Sequence, residues 1–443
     1  VCFTYPGNST PQCTWDGTTE RITRLPHAFG DSFPTQDVDL GQVAQVTGEL
    51  NVDGSDASVP GLAGDLTLSR SHLSFAGDGT LGGWPTTIAD QMFGPGFTGN
   101  LDGPDAGTGG MSVIDQTATD GTMILADTDG SVLVFAQPGN GRTKDLAGTY
   151  QPITQDTVDS GMKLVVATGG ASMTVTEDDK TTTTYTLANG QWGVAKVAEP
   201  GAAGTTTYTR DGSGRVTRIL SGLPEGFSAA DCPGTGALTK KGCRALDLAY
   251  GTSTGNGDAA GQVKSASAYL WDPASNAMKS TPIATYTYDS SKRLTKVTDP
   301  RSNLSTTYTW DGSSTRLASI MPSGQAAYRI TYDGNKKVKQ ITRDAATDGG
   351  ASTALFSFVY GVPTTGNSAL PSLGASDVAK WAQVSVPTTG YAVFGQDHPV
   401  SSSNAEDINA DDWKYASLSY TDANNYEVNG AEYGAGPVSY THL

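Results

Sequence analysis

The sequence predicts an all-β fold, an array of antiparallel β-hairpins joined into a curved sheet. Three observations carry the prediction. The first is composition: 443 residues include 55 glycines and 22 prolines, with Thr, Ser, Asp and Asn crowded between short apolar runs. Such residues reverse the chain through positive φ, fixed φ or local side-chain hydrogen bonds, so the chain makes many turns and short strands. The second is the character of the runs, where 18 Tyr, 7 Trp and 11 Phe accompany Thr, Val and Ile, the types that suit a pleated, half-buried surface. With charged residues at only 16%, the chain lacks the high charge that keeps weakly hydrophobic chains disordered. The third is an internal repeat.

Tyr208, Asp211, Arg215, Val216 and Ile219 recur as Tyr286, Asp289, Arg293, Leu294 and Val297. They recur again as Tyr308, Asp311, Arg316, Leu317 and Ile320, then as Ile330, Asp333, Lys337, Val338 and Ile341. The steps from Asp289 to Asp311 and from Asp311 to Asp333 are both 22 residues. Weaker copies lie at Trp15-Asp16, with Arg21, Ile22 and Leu25, and at Tyr420, Asp422 and Val428.

Each copy has the chemistry of a hairpin. Aromatics two apart, such as Tyr286 with Tyr288 and Tyr308 with Trp310, share one face of a strand, and Tyr332 holds the same place before Asp333. Asp-Gly or Asp-Ser-Ser supplies the reversal, so the aspartates read as turn formers and not as catalysts. The return strand then sets its aliphatics three apart, which a regular strand would place on opposite faces. Either both faces are covered or a bulge re-aims one residue; a bulge also bends and twists the strand, hence the curved, coiling sheet.

The Tyr-x-Tyr-Asp-x-x-x-Arg-Leu-x-x-Val pattern at 286–297 resembles the YD repeats of the Rhs and teneurin-like families, and residues 205–345 carry it strongly. Upstream, Arg70–Phe75 and the Phe93-Gly94-Pro95-Gly96-Phe97 turn resemble the segment that opens Rhs shells. Downstream, Tyr391–Pro399 and Asp412–Tyr420 resemble later segments of secreted members. The resemblance spans about residues 60–438. It implies a left-handed spiral of hairpins enclosing a hollow shell, which in full-length members houses a C-terminal toxin or tip domain. The family's core region, with its Asp-Pro-x-Gly motifs and aspartyl autoproteolysis, has no counterpart here. Asp272-Pro273-Ala274 and Asp299-Pro300-Arg301 lack the following Gly, so no cleavage residue carries over.

Along the chain, residues 1–60 read as a disulfide-containing region or the end of a preceding module, with a Pro- and Gly-rich passage from Leu25 to Pro60. Residues 61–200 read as the shell-opening β segment, with strands at 131–135, 162–167 and 181–187 and a hairpin at Asn189-Gly190. Residues 201–345 hold the repeats with an inserted disulfide loop at 222–262. Residues 346–443 continue them with a second insertion, whose helix-tolerant stretch is Asp377–Ala382. Both ends read as cut, so the chain is taken as an internal fragment.

The formal charge of −17 without a Lys/Arg cluster argues against a nucleic-acid surface and disfavours an anionic-lipid one. No apolar run reaches bilayer length. Cys2/Cys13 and Cys232/Cys243 are each 11 apart and read as two local disulfides of a secreted or cell-surface protein. Zinc is disfavoured because His27, His72, His398 and His442 are scattered; no metal or cofactor is expected. Asp127-Thr128-Asp129-Gly130 lacks a calcium loop's closing Glu, that place being Pro138. Asp397-His398 and the acid pairs Asp178-Asp179 and Asp411-Asp412 lie in loops without an apolar pocket. The reading is a structural scaffold and not an enzyme, its partner a C-terminal effector of the same polypeptide. The alternative is a wall- or glycan-binding module using the repeat aromatics, disfavoured because those rings keep register with the repeat.

Overall fold

The computed structural model describes residues 2–3, 12–13, 33–75, 92–101, 112–117, 121–126, 132–137, 147–188, 190–201, 204–346, 350–433 and 440–441. Two sheets dominate. A five-stranded opening sheet runs Thr35–Val38, Gly41–Ala44, Leu50–Val59, Leu66–Leu73 and Phe97–Gly99. A long antiparallel sheet then follows chain order from Ser112–Gln116 to Tyr440–Thr441, each strand in register with its neighbours in the chain. It is open and curved, an all-β array of hairpins as the sequence predicts.

The two sheets share one core. Val43, Leu50, Leu66, Phe93 and Phe97 cluster with Tyr286, Tyr308, Leu294, Leu317 and Val338. The opening sheet therefore packs on the face of the array that carries the repeat aromatics. Near the C-terminal end the array is covered on both sides. Phe358, Tyr360, Tyr391 and Val393 join the shared core, whereas Val359, Ala392, Phe394, Leu418 and Tyr420 pack with Leu370, Leu373, Val378 and Trp413. Alternation along the strands makes this division, and the excursions 363–388 and 396–415 supply the outer layer.

Helix is scarce. Ala375–Val378 is α-helical and continues as a 3-10 turn at Ala379–Trp381, inside the helix-tolerant stretch. A second short helix, Gln155–Asp159, has no counterpart in the sequence reading; Thr154 caps it by accepting from the Thr157 N–H. The 60/61 boundary falls in the turn between strands Leu50–Val59 and Leu66–Leu73, which pair along their length.

Cys232 and Cys243 form a disulfide with Cα atoms 5.5 Å apart, both sulfurs' residues buried. It ties the loop between strands Val216–Leu220 and Ala245–Tyr250, against Leu220, Leu238 and Ala245. The second of these strands lies within the 222–262 range and pairs with Val216–Leu220 as a full member of the array. Replacing both cysteines by serine should lower stability by about 3 kcal/mol, read as a fall in melting temperature confined to non-reducing buffer. Cys2 and Cys13 face one another in the pair Cys2–Phe3/Gln12–Cys13. Their side chains, the Trp15-Asp16 copy and Asp127, Asp129 and Pro138 lie outside the described residues.

Candidate functional site

The recurring chemistry lies at the hairpin ends. Asp289 Oδ1 accepts from the backbone N–H of Ser291 and of Arg293, both at 2.9 Å. Asp211 does the same with Ser213 and Arg215, Asp333 with Asn335 and Lys337, and Asp422 with Asn424 and Tyr426. A carboxylate bonded to the N–H groups two and four residues on reinforces the main-chain bond that the Asp N–H makes to the carbonyl four residues on, and so closes the loop. The other oxygen holds the basic residue: Arg215 Nη2 at 2.6 Å, Arg293 Nε at 2.9 Å. Asp311 heads a turn one residue longer, so Ser314 Oγ takes over the Arg316 N–H while Asp311 keeps the guanidinium at 3.2 Å. Burial pushes the Asp211 carboxyl up, but the Arg215 guanidinium and two backbone N–H groups outweigh it and hold it below the usual carboxylate range. Asp289→Ala should cost about 1–2 kcal/mol in urea unfolding, with Asp289→Asn recovering part of the loss.

Every repeat hairpin carries a bulge at one place. Tyr288 pairs with Leu294 but Thr287 with Lys296, which leaves Thr295 unpaired; the same slip occurs at Thr209/Arg210, Thr309/Trp310 and Thr331/Tyr332. The extra residue turns the next aliphatic back to the inner face. Val216/Ile219, Leu294/Val297, Leu317/Ile320 and Val338/Ile341 are all buried. Of the two explanations open to the sequence, the bulge is the one used in the repeats.

Successive hairpins are latched by the ring that precedes the turn. Tyr250 Oη donates to the Val216 carbonyl (2.8 Å), Tyr288 Oη to Val263 (2.7 Å) and Trp310 Nε1 to Leu294 (3.0 Å). Tyr332 Oη donates to Leu317 (2.9 Å) and Tyr360 Oη to Val338 (2.6 Å). In each case the acceptor is the first residue of the previous hairpin's return strand. The basic residue just before that acceptor stacks on the same ring: Arg215 on Tyr250, Arg293 on Trp310, Arg316 on Tyr332 and Lys337 on Tyr360, at 4.5–5.5 Å from the centroid. Each unit thus satisfies a main-chain carbonyl of its predecessor and, except at Tyr288, where Gln262 precedes the acceptor, desolvates a cation of it. Earlier in the chain Arg210 occupies the ring's place, and its Nη2 reaches the Val194 carbonyl at 3.5 Å.

The sequence marks Tyr208, Tyr286, Tyr288, Tyr308, Trp310 and Tyr332 but not Tyr250 or Tyr360, because Gly and not Asp follows them. An aromatic followed by Gly near the end of a strand is the signal that would have found both. Tyr286, Tyr288 and Tyr308 are buried, so their rings fill the packing and offer no face to a sugar.

The opening sheet meets the latched ends along a seam. The Met92 carbonyl accepts from the Val263 N–H at 2.6 Å, the Gly48 carbonyl from Val338 at 2.8 Å, and His72 Nε2 lies 2.9 Å from the Thr315 carbonyl. Arg70 is sandwiched between the Phe97 and Tyr308 rings while its Nε donates to Asp56, which also accepts from Tyr286 Oη. Beside it lies a cleft of about 480 Å³ lined by Asp39, Asp53, Asp56 and Asp299. Each of these carboxylates already accepts from a neighbour: Tyr328, Ser71, Arg70 and Arg301.

His398 pairs with Asp412 (2.7 Å) and not with its neighbour Asp397, and stacks on Tyr415. Hydrogen bonds from His398 and then Asn409 hold the Asp412 carboxyl below its usual range. Asp178 is paired with Lys180 at the exposed surface. No group of three or more His, Cys, Asp or Glu among the described residues is arranged to hold a metal ion, and no described helix is long and apolar enough to cross a membrane.

The RHS Repeat family model matches residues 288–326, the stretch from Tyr288 through the Asp311 hairpin. No curated protein matches the chain. Among solved structures, a TcdB2-TccC3-TEV crystal structure aligns with 71% of this chain and 16% of its own, at 13% identity and a TM-score of 0.25. TcdB2-TccC3 without its hypervariable C-terminal region aligns with 70% and 16%, at 12% identity and a TM-score of 0.25. A porin-like protein from Bacteroides uniformis aligns over 55% of this chain and 92% of its own, at 11% identity and a TM-score of 0.20. Scores at this level establish no common fold, and the chain spans about a sixth of the length of the TcdB2-TccC3 chains.

Proposed function

We propose that this chain is the wall of a YD-repeat shell that encloses or presents an effector domain of the same polypeptide, and that it contributes no chemistry of its own. The observation that supports this reading best is the unbroken series of latches from Val216 to Tyr360. Its recurring geometry serves the joining of one hairpin to the next, which is what a wall needs and a catalytic cleft does not. The RHS Repeat match falls on the same stretch. The buried Cys232–Cys243 bridge fits an oxidising, extracellular setting.

Limited proteolysis of the longer polypeptide tests the proposal. A downstream domain expressed with this chain should resist protease at concentrations that digest the same domain expressed alone. Equal digestion rates in the two settings would refute enclosure.

A further inference from the structure

We infer that His72 is an acid-sensitive keystone of the seam, and that its protonation releases the opening sheet from the repeat hairpins while the array itself stays folded. This goes beyond the shell proposal and holds whether or not the shell contains a partner.

His72 is completely buried at the middle of the seam. Its ring lies 5.1 Å from Phe97 and 5.8 Å from Trp310, centroid to centroid. Phe97 belongs to the opening sheet and Trp310 to the Asp311 hairpin, so one imidazole joins the two. Nε2 faces the Thr315 carbonyl, which fixes the Nε2–H tautomer of the neutral ring. Nδ1 is then the unprotonated atom, and it accepts no hydrogen bond. A proton added there would sit in a sealed site with only the His72 main-chain carbonyl to take it.

The charges around it are positive. Arg70 lies two residues away on the same strand and acts against a proton on His72. Arg293 stacks on Trp310, and Arg316 follows Thr315 in the chain. The nearby carboxylates are already engaged: Asp56 with Arg70, Asp289 with Arg293 and Asp311 with Arg316. Burial is the largest cause; helped by the charge of Arg70 it outweighs the Thr315 and His72 carbonyls and lowers the His72 pKa from 6.5 to about 4.

The sign follows from linkage. The closed seam binds this proton more weakly than the open one, so closure is at full strength above pH 6.5 and weakens as pH falls towards 4. At pH 5 the opening equilibrium should rise roughly 20-fold over its value at neutral pH.

Amide hydrogen exchange, corrected for its intrinsic pH dependence, should show this rise at residues 66–73, 92–99 and 304–322. Protection at 163–198, remote from the seam, should persist. His72→Gln should flatten the pH dependence at the seam. Because that variant removes a packed ring and can fail to fold, the pH titration of the wild-type His72 ring by NMR provides a second measurement. A ring that titrates far below 6.5, in step with seam exchange, supports the inference. A His72 that titrates near 6.5 with the seam still protected overturns it, as does a His72→Gln protein with unchanged pH dependence.

Discussion

Replacing Gly94 with alanine should disrupt the seam and cost the protein about 4 kcal/mol or more, through backbone overlap and a strained conformation. Gly94 has φ +81°, and a Cβ built on it would lie 2.1 Å from the Lys292 carbonyl oxygen. Neither partner has room to yield. Lys292 is itself in the left-handed region, at φ 63°, inside the turn that the Asp289 carboxylate closes by accepting from two main-chain N–H groups. On the other side, Gly96 packs against Thr315 and Trp310 in the next hairpin, its added Cβ meeting Thr315 O at 2.6 Å. The Phe93–Phe97 turn is thus wedged across two hairpins and cannot shift from one without striking the other. Gly334→Ala is the control: it lies in the corresponding turn of the Asp333 hairpin, with nothing within 4 Å of an added Cβ, and should change stability by less than about 0.5 kcal/mol. Thermal unfolding of both variants measures the contrast, and a Gly94→Ala protein within about 1 kcal/mol of wild type would remove the wedge from the account.

The second large effect is expected at Trp310. Its indole donates to the Leu294 carbonyl, carries Arg293, and touches both Phe97 and His72. Trp310→Ala should cost about 3–5 kcal/mol, the range for deleting a large packed aromatic. Trp310→Phe keeps most of the packing and removes the N–H, leaving the Leu294 carbonyl without its latch, and should cost about 1–2 kcal/mol. In a stacked array each unit is coupled chiefly to its neighbours. Exchange should therefore accelerate over 277–322 in Trp310→Phe and remain unchanged over 163–198. Uniform acceleration along the whole chain would mean that the latches are incidental and the sheet melts as a single body.

What the sequence revealed and what it hid divides along one line. The Asp turns and the three-apart aliphatics were legible because both are local: Asp289 acts on residues two and four positions on, and the bulge at Thr295 lies between Leu294 and Val297. The latch is not local. Tyr332 donates to the main chain of Leu317, and a carbonyl leaves no trace in residue identity. Tyr250 and Tyr360 are unmarked because Gly251 and Gly361, and not Asp, follow them. The opening sheet was hidden by its own composition. Asp53-Gly54-Ser55-Asp56 looks like a turn, yet it runs through the strand Leu50–Val59. Gly54 is there because a side chain would collide with the Arg70 guanidinium, whose Nη2 lies 2.8 Å from the position of its Cβ, and the bulge between Ser55 and Ala57 leaves Asp56 out of the pairing. Asp56 then holds Arg70. What reads as loop punctuation is the seat of a buried ion pair.

Electron cryomicroscopy of the full-length polypeptide, including the effector domain proposed to follow this array, tests the central claim most directly. The account predicts that the curved sheet continues around density for the following domain, with the rings from Tyr250 to Tyr360 latched inside the wall. A following domain lying free of the array, outside its concave face, would contradict it.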